Sequence, residues 1–157
     1  MKKKPDPESE ADAATVRARA LALLSRREHS ALELKRKLQQ RGFADSVVEP
    51  VLKALAAENL LSEARFAEAW VRSRIARGQG PRKVEAELRR RALGDAEIAS
   101  ALAASGADWT RLAAEACRKR FGPQLPSTLA EKARQTRFLQ ARGFDAEQIR
   151  HALREED

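Results

Sequence analysis

The chain has 157 residues, 31 of them Lys or Arg and 23 Asp or Glu, for a net charge of +8. Leu, Ala, Arg, Glu and Lys dominate while aromatics make up 4%, a composition of helix formers that points to an all-α fold. One cysteine, Cys117, and two histidines exclude an intrachain disulfide and a Cys/His zinc cluster, and the apolar runs are too short to span a bilayer. The basic excess suits polyanions, nucleic acid first.

Residues 1–13 read as a disordered tail, charged, with two prolines and no periodicity. Lys2–Lys4 is followed by Pro5, Asp6, Pro7 and Glu8 rather than an apolar signal core, so a soluble cytoplasmic protein is expected. Val16, Ala20, Leu23 and Leu24 then form one apolar stripe of a first helix. Ser30 opens a second helix, with Glu33 at capping-box spacing, Leu34 and Leu38 inward and Gly42 as its stop. A third helix carries Val48, Leu52 and Leu55, and Pro50 either starts or kinks it. Ser62–Arg77 is a further helix with Phe66, Ala69, Trp70 and Ser73 on its inward side. After Gly78-Gln79-Gly80-Pro81, read as a hinge or helix break, Val84 and Leu88 mark the buried side of the next helix. Asp108–Phe121 places Trp109, Leu112 and Ala116 inward.

A repeat runs through this pattern. Leu38, Arg41, Gly42, Phe43, Val48 and Leu52 are matched without gaps by Leu88, Arg91, Ala92, Leu93, Ile98 and Leu102, 50 residues on. Another 51 residues on stand Leu139, Arg142, Gly143, Phe144, Ile149 and Leu153. Each copy follows a leading helix, so the expectation is three tandem three-helix units, 14–61, 62–107 and 108–157, stacked into an elongated array. Arg41, Arg91 and Arg142 sit at helix C-termini, where a cation binds free carbonyls, and are read as structural.

No catalytic, cofactor or metal site is legible. His29 precedes the capping Ser30 and suits a local role, His151 suits an exposed position, and Cys117 suits helix packing. Gly78-Gln79-Gly80 lacks the Lys-Ser/Thr ending and the strand of a phosphate loop. Glu85 and Glu87, two apart on a helix, point in different directions.

Charge concentrates in the middle. Arg72, Arg74, Arg77, Arg82, Lys83, Arg89, Arg90 and Arg91 face only Glu85 and Glu87, a local balance of +6. On the wheel, Arg82 and Arg89 lie opposite Val84 and Leu88, and Lys83 and Arg90 form a second outward row. These rows are either a solvated charged face or a contact for phosphates, salt-dependent and indifferent to sequence. Three-helix units also invite a helix-turn-helix reading, but no outward Asn or Gln marks a base-reading helix.

Four segments together resemble the RecX family. They are Ser25-Arg26-Arg27-Glu28-His29-Ser30 with Glu33-Leu34 and Lys37-Leu38; Ala64-Arg65-Phe66-Ala67 with Arg72-Ser73-Arg74; Gly78-x-Gly80-Pro81-x-Lys83-Val84-x-x-Glu87-Leu88; and Phe138-Leu139-x-x-Arg142-Gly143-Phe144. Glu63 stands where the family usually has Asp, with Ser62 placed to cap instead, and Ala92-Leu93 replaces the Gly-Phe of the outer units. The resemblance implies a curved molecule of three three-helix units. It implies binding to the RecA–DNA filament and restraint of RecA's ATPase, strand-exchange and coprotease activities in recombination, repair and the SOS response; with no active site legible, a non-enzymatic monomer is expected. It also implies weak, non-specific affinity for single- and double-stranded DNA, with no cofactor and no membrane. The basic residues Arg72, Arg74, Arg77, Arg82, Lys83, Arg89 and Arg90 are the expected contact face for RecA and DNA.

Overall fold

A computed structural model of the protein describes residues 7–154. Among these residues the chain forms nine helices and no strand. They are α1 (Pro7–Arg26), α2 (Ala31–Gln40), α3 (Asp45–Ala57), α4 (Glu63–Ala76), α5 (Pro81–Arg90), α6 (Asp95–Ala104), α7 (Trp109–Phe121), α8 (Leu129–Arg142) and α9 (Ala146–Ala152). The tail expected over residues 1–13 is thus corrected: α1 already begins at Pro7, and residues 1–6 lie outside the described residues. Proline is well suited to a first helical position, and Ala11, Ala13 and Ala14 carry the helix onward. No described helix is long and apolar enough to cross a membrane. The chain divides into two compact units, Met1–Phe66 and Ala67–Asp157.

In the first unit, α1, α2 and α3 close around Val16, Ala20, Leu34, Leu38, Val48, Val51, Leu52 and Leu55, with Leu23 and Leu24 packed partly buried against them. The periodic residues of the sequence are therefore the core. Pro50 sits inside α3 rather than at its start. It and Ser46, whose carbonyl loses its helical partner, are both exposed, so water can satisfy that carbonyl.

Polar contacts fasten the ends of these helices. Ser30 and Glu33 form the full capping box of α2. Glu63 accepts from the Ala31 amide at the start of α2, while Ser62 Oγ accepts from the Arg65 amide and caps α4. The longer acid thus reaches across to another helix and leaves its own helix to the serine. Arg65 donates to Glu28 Oε1 at 2.9 Å and to the Asn59 carbonyl at 2.8 Å. His29 is buried, its Nδ1 3.0 Å from the Arg27 carbonyl and its Nε2 2.9 Å from Lys37 Nζ. An ammonium has only donors, so Nε2 accepts and Nδ1–H donates. Burial, aided by the nearby cations Arg27 and Lys37, pushes the imidazole pKa below its ordinary 6.5 and keeps the ring neutral.

In the second unit, Val84, Leu88, Leu93, Ile98 and Ala101 are buried along α5 and α6. Helices α7, α8 and α9 share a core of Ala113, Cys117, Leu139, Phe144, Ile149, Ala152 and Leu153. The stripe of α7 is centred one residue beyond expectation, on Ala113 and Cys117, with Trp109, Leu112 and Ala116 packed at its margin. Cys117 Sγ donates to buried Gln135 at 3.1 Å, and burial pushes its thiol pKa up, as befits a packing residue.

The repeat is conformational as well as apolar. Gly42, Ala92 and Gly143, its matched turn positions, all adopt positive φ, at +89°, +63° and +96°. The last of these turns meets the loop between α4 and α5. Gly80 N–H donates to the Arg142 carbonyl at 2.7 Å, and Arg82 N–H donates to the Gly143 carbonyl at 2.9 Å. A Cβ on Gly80 would stand 2.5 Å from the Gly143 carbonyl carbon, and one on Gly143 would strike Lys83 Cβ. The segment expected as a hinge or helix break does separate α4 from α5, and it is held as a backbone-to-backbone joint.

Ala92 pays the left-handed penalty of about 1–2 kcal/mol that glycine avoids. Ala92→Gly, after the added unfolded-chain entropy, should raise stability by about 0.5–1 kcal/mol. Gly143→Ala should lower it by about 2–4 kcal/mol through strain and overpacking together. Urea denaturation of the two variants checks the pair, and equal effects would mean the matched turns are not under the same constraint.

Candidate nucleic-acid interface

The basic middle is built on α5. Gly80 is its N-cap residue, Pro81 opens the helix, and Val84 and Leu88 are wholly buried. The same rotation puts Arg82, Lys83, Arg89 and Arg90 outward, and all four are exposed, as their seven-residue spacing requires. Arg72 on α4 and Arg77 just beyond it are also exposed. Arg72, Arg77, Arg82, Lys83 and Arg90 carry no ion pair among the described residues. Arg89 lies 3.2 Å from Asp95 and 4.0 Å from Glu85. These are exposed pairs worth about 0–1 kcal/mol, weak enough for a phosphate to displace.

Arg74 stands apart from this face. Its guanidinium lies 4.0 Å from the centroid of the Trp70 ring, and Arg91 covers the same ring at 3.9 Å. Trp70 Nε1 donates to Glu87 Oε2 at 2.9 Å. Arg74 Nε is 3.1 Å from that oxygen, an ion pair by distance though off the hydrogen-bonding angle, and both side chains are more than four-fifths shielded. Arg91 also donates to the Glu87 carbonyl at 3.0 Å. Two cations, one carboxylate and one indole thus tie α4 to α5. Arg91 and Arg142 bear out the structural reading of the repeated arginines, whereas Arg41 is exposed and its side chain holds no helix end among the described residues. Arg142 caps the end of α4 by donating to the Arg77 carbonyl at 2.9 Å, rather than serving its own helix.

The inward side of α4 is accordingly turned from expectation. Phe66, Ala67 and Val71 are buried, Ala69 and Trp70 half-buried, and Ser73 exposed. The sequence did signal this cluster, since Trp70 and Arg74 stand four apart on one face. What it could not supply was the arrival of Glu87 and Arg91 from the next helix. Among the described residues no three His, Cys, Asp or Glu side chains gather in a way that could hold a metal ion. His151 is exposed, 3.9 Å from Glu147.

Comparison with known proteins gives a consistent answer. Family models described as the first, second and third three-helix domains of RecX match residues 17–55, 62–102 and 108–153. The curated regulatory protein RecX of Halorhodospira halophila is 49% identical over 146 residues, covering 92% of this chain and 91% of the relative. That of Chromohalobacter salexigens is 48% identical over 140 residues, covering 89% and 91%. In fold, the chain resembles a crystal structure of regulatory protein RecX with a TM-score of 0.75 at 22% identity, covering 99% of this chain and 82% of the other. It resembles RecX from Lactobacillus salivarius with a TM-score of 0.76 at 19% identity, covering 91% and 95%.

Because its ring is half-buried, Trp70 should cost less than a fully buried tryptophan on truncation. Trp70→Ala is expected to lose about 2–3 kcal/mol, made of packing and two cation–π contacts. Thermal denaturation measures it, and an unchanged melting temperature would show that the arginine sandwich does not hold α4 to α5.

Proposed function

Since the chain belongs to the RecX family, we propose that it is a regulator, not an enzyme, that binds the RecA–DNA filament and inhibits RecA's ATPase, strand-exchange and coprotease activities. It acts on recombination, DNA repair and the SOS response, as a cytoplasmic monomer without a cofactor. Its contact with bare single- or double-stranded DNA is weak and indifferent to sequence. The observation that carries the reading is the outward face of α5. There Arg82, Lys83 and Arg90 are exposed and unpaired on a helix whose other side is fully packed. Such a face offers positive charge to a polyanion at no cost to the core. Arg72, Arg77 and Arg89 extend it, whereas Arg74 supports it from behind through Trp70 and Glu87.

Reversing Arg82, Lys83, Arg89 and Arg90 to Glu turns the local balance from +6 to −2. The variant should keep its helicity and a near-normal melting temperature, yet lose most inhibition of RecA's ATPase on single-stranded DNA. Reversing Arg111, Arg118 and Lys119 in the third unit should cost less, because that region is nearer charge balance. A folded quadruple variant that inhibits like the parent would reduce the α5 face to a solvated surface. Equal affinity for bare and RecA-coated DNA would instead make the protein a general DNA-binding module.

A further inference from the structure

Most cations of the first unit that have an acidic neighbour use it. Arg17 pairs with Glu58 at 2.7 Å, Arg27 with Glu33 at 3.1 Å, Lys35 with Glu49 at 2.8 Å and Arg65 with Glu28 at 2.9 Å. Arg19, Arg26, Lys37 and Arg41 carry no such pair, and all four line one trough of about 380 Å³ between α1 and α2. Its remaining lining is Ala22, Leu23, Leu38 and Gln40, with no acidic side chain. The spacing is a consequence of the helices: Arg19, Ala22, Leu23 and Arg26 are one face of α1, and Lys37, Leu38 and Arg41 one face of the end of α2. Buried neutral His29 accepts from Lys37 Nζ and so holds that ammonium in place. Four like charges converging without a counter-charge raise the local potential, which an anion relieves.

We infer that this trough is a second nucleic-acid site, which takes the phosphodiester backbone of a single strand. It is separate from the α5 face and does not rest on the proposed action on RecA. Arg19 and Arg26 stand two helical turns apart, about 10.5 Å along the axis. Successive phosphates of a single strand lie farther apart than the roughly 3.4 Å rise of a duplex strand, so the two arginines reach phosphates no more than about three nucleotides apart. Three of the four cations are arginines, whose planar fork binds phosphate oxygens in pairs, and partly buried Leu23 supplies an apolar floor for sugars. A concave trough admits one strand edge-on more readily than a convex duplex.

The test is fluorescence anisotropy of fluorescein-labelled (dT)20 titrated with the full chain, without RecA, from 50 to 200 mM salt. Arg19→Gln, Arg26→Gln and Arg41→Gln together replace only exposed side chains and should keep the melting temperature. The triple variant should weaken binding at least about tenfold and lower the slope of log affinity against log salt by about two, near 0.7 for each lost contact. Arg36→Gln with Lys53→Gln, exposed cations off the trough, should change it less than about twofold. If the triple variant folds poorly, Arg26→Gln alone should still weaken binding about threefold. Parent-like affinity in the trough variants would overturn the inference. So would a labelled twelve-residue poly-glutamate peptide binding as tightly as (dT)20, since the trough would then be a site for acidic protein segments. Loss of (dT)20 binding with RecA inhibition intact, or the reverse, separates this site from the proposed function.

Discussion

Two backbone hydrogen bonds, from Gly80 to the Arg142 carbonyl and from Arg82 to the Gly143 carbonyl, govern the placement of α5. They join the loop ahead of α5 to the turn after α8 at a distance only glycine permits. The joint fixes where α5 begins, and Val84 and Leu88 then fix its rotation. Once both are set, the outward direction of Arg82, Lys83 and Arg90 follows from helix geometry alone. The exposed cations of α5 thus stand on a packed backbone, and their direction is set by Gly80, Gly143, Val84 and Leu88 rather than by the arginines themselves.

The arginines divide into two classes with different physics. Arg65, Arg74, Arg91 and Arg142 are spent on fixed partners: a carboxylate, a tryptophan ring or the carbonyls at a helix end. Shielding from water makes the Arg74–Glu87 contact worth more than a surface pair, and removing either partner leaves the other charge poorly solvated. Arg72, Arg77, Arg82 and Arg90 are exposed and unpaired, so they retain side-chain freedom and hydration to exchange for a phosphate. Net charge counts both classes alike. The first class fastens the fold, and the second is free of fixed partners.

Local signals were legible in the sequence where they are sufficient in themselves. The Ser30–Glu33 capping box, the Val84–Leu88 stripe and the matched turns depend on near neighbours, and the structure realises each of them. The outward position of the α5 cations was legible for the same reason. Long-range events were not. Gly80 reads only as part of a hinge or helix break, and nothing local announces Gly143, 63 residues away, packed against it. Trp70 reads as core until Glu87 and Arg91 cover it with polar groups. Arg19, Arg26, Lys37 and Arg41 lie scattered over two helices, and their convergence depends on how α1 and α2 pack. The early start of α1 was hidden by a charged, proline-containing segment whose composition resembles that of a tail.

If the α5 face is the surface that meets the RecA–DNA filament, Lys83 is a native amine on it to report that contact. Amine-reactive labelling followed by mass spectrometry, with and without RecA-coated single-stranded DNA, reads its accessibility against exposed Lys132 on α8. Lys83 should be labelled readily in the free chain and protected on the filament, while Lys132 keeps its rate. Unchanged labelling of Lys83 under conditions where the chain is bound would contradict it.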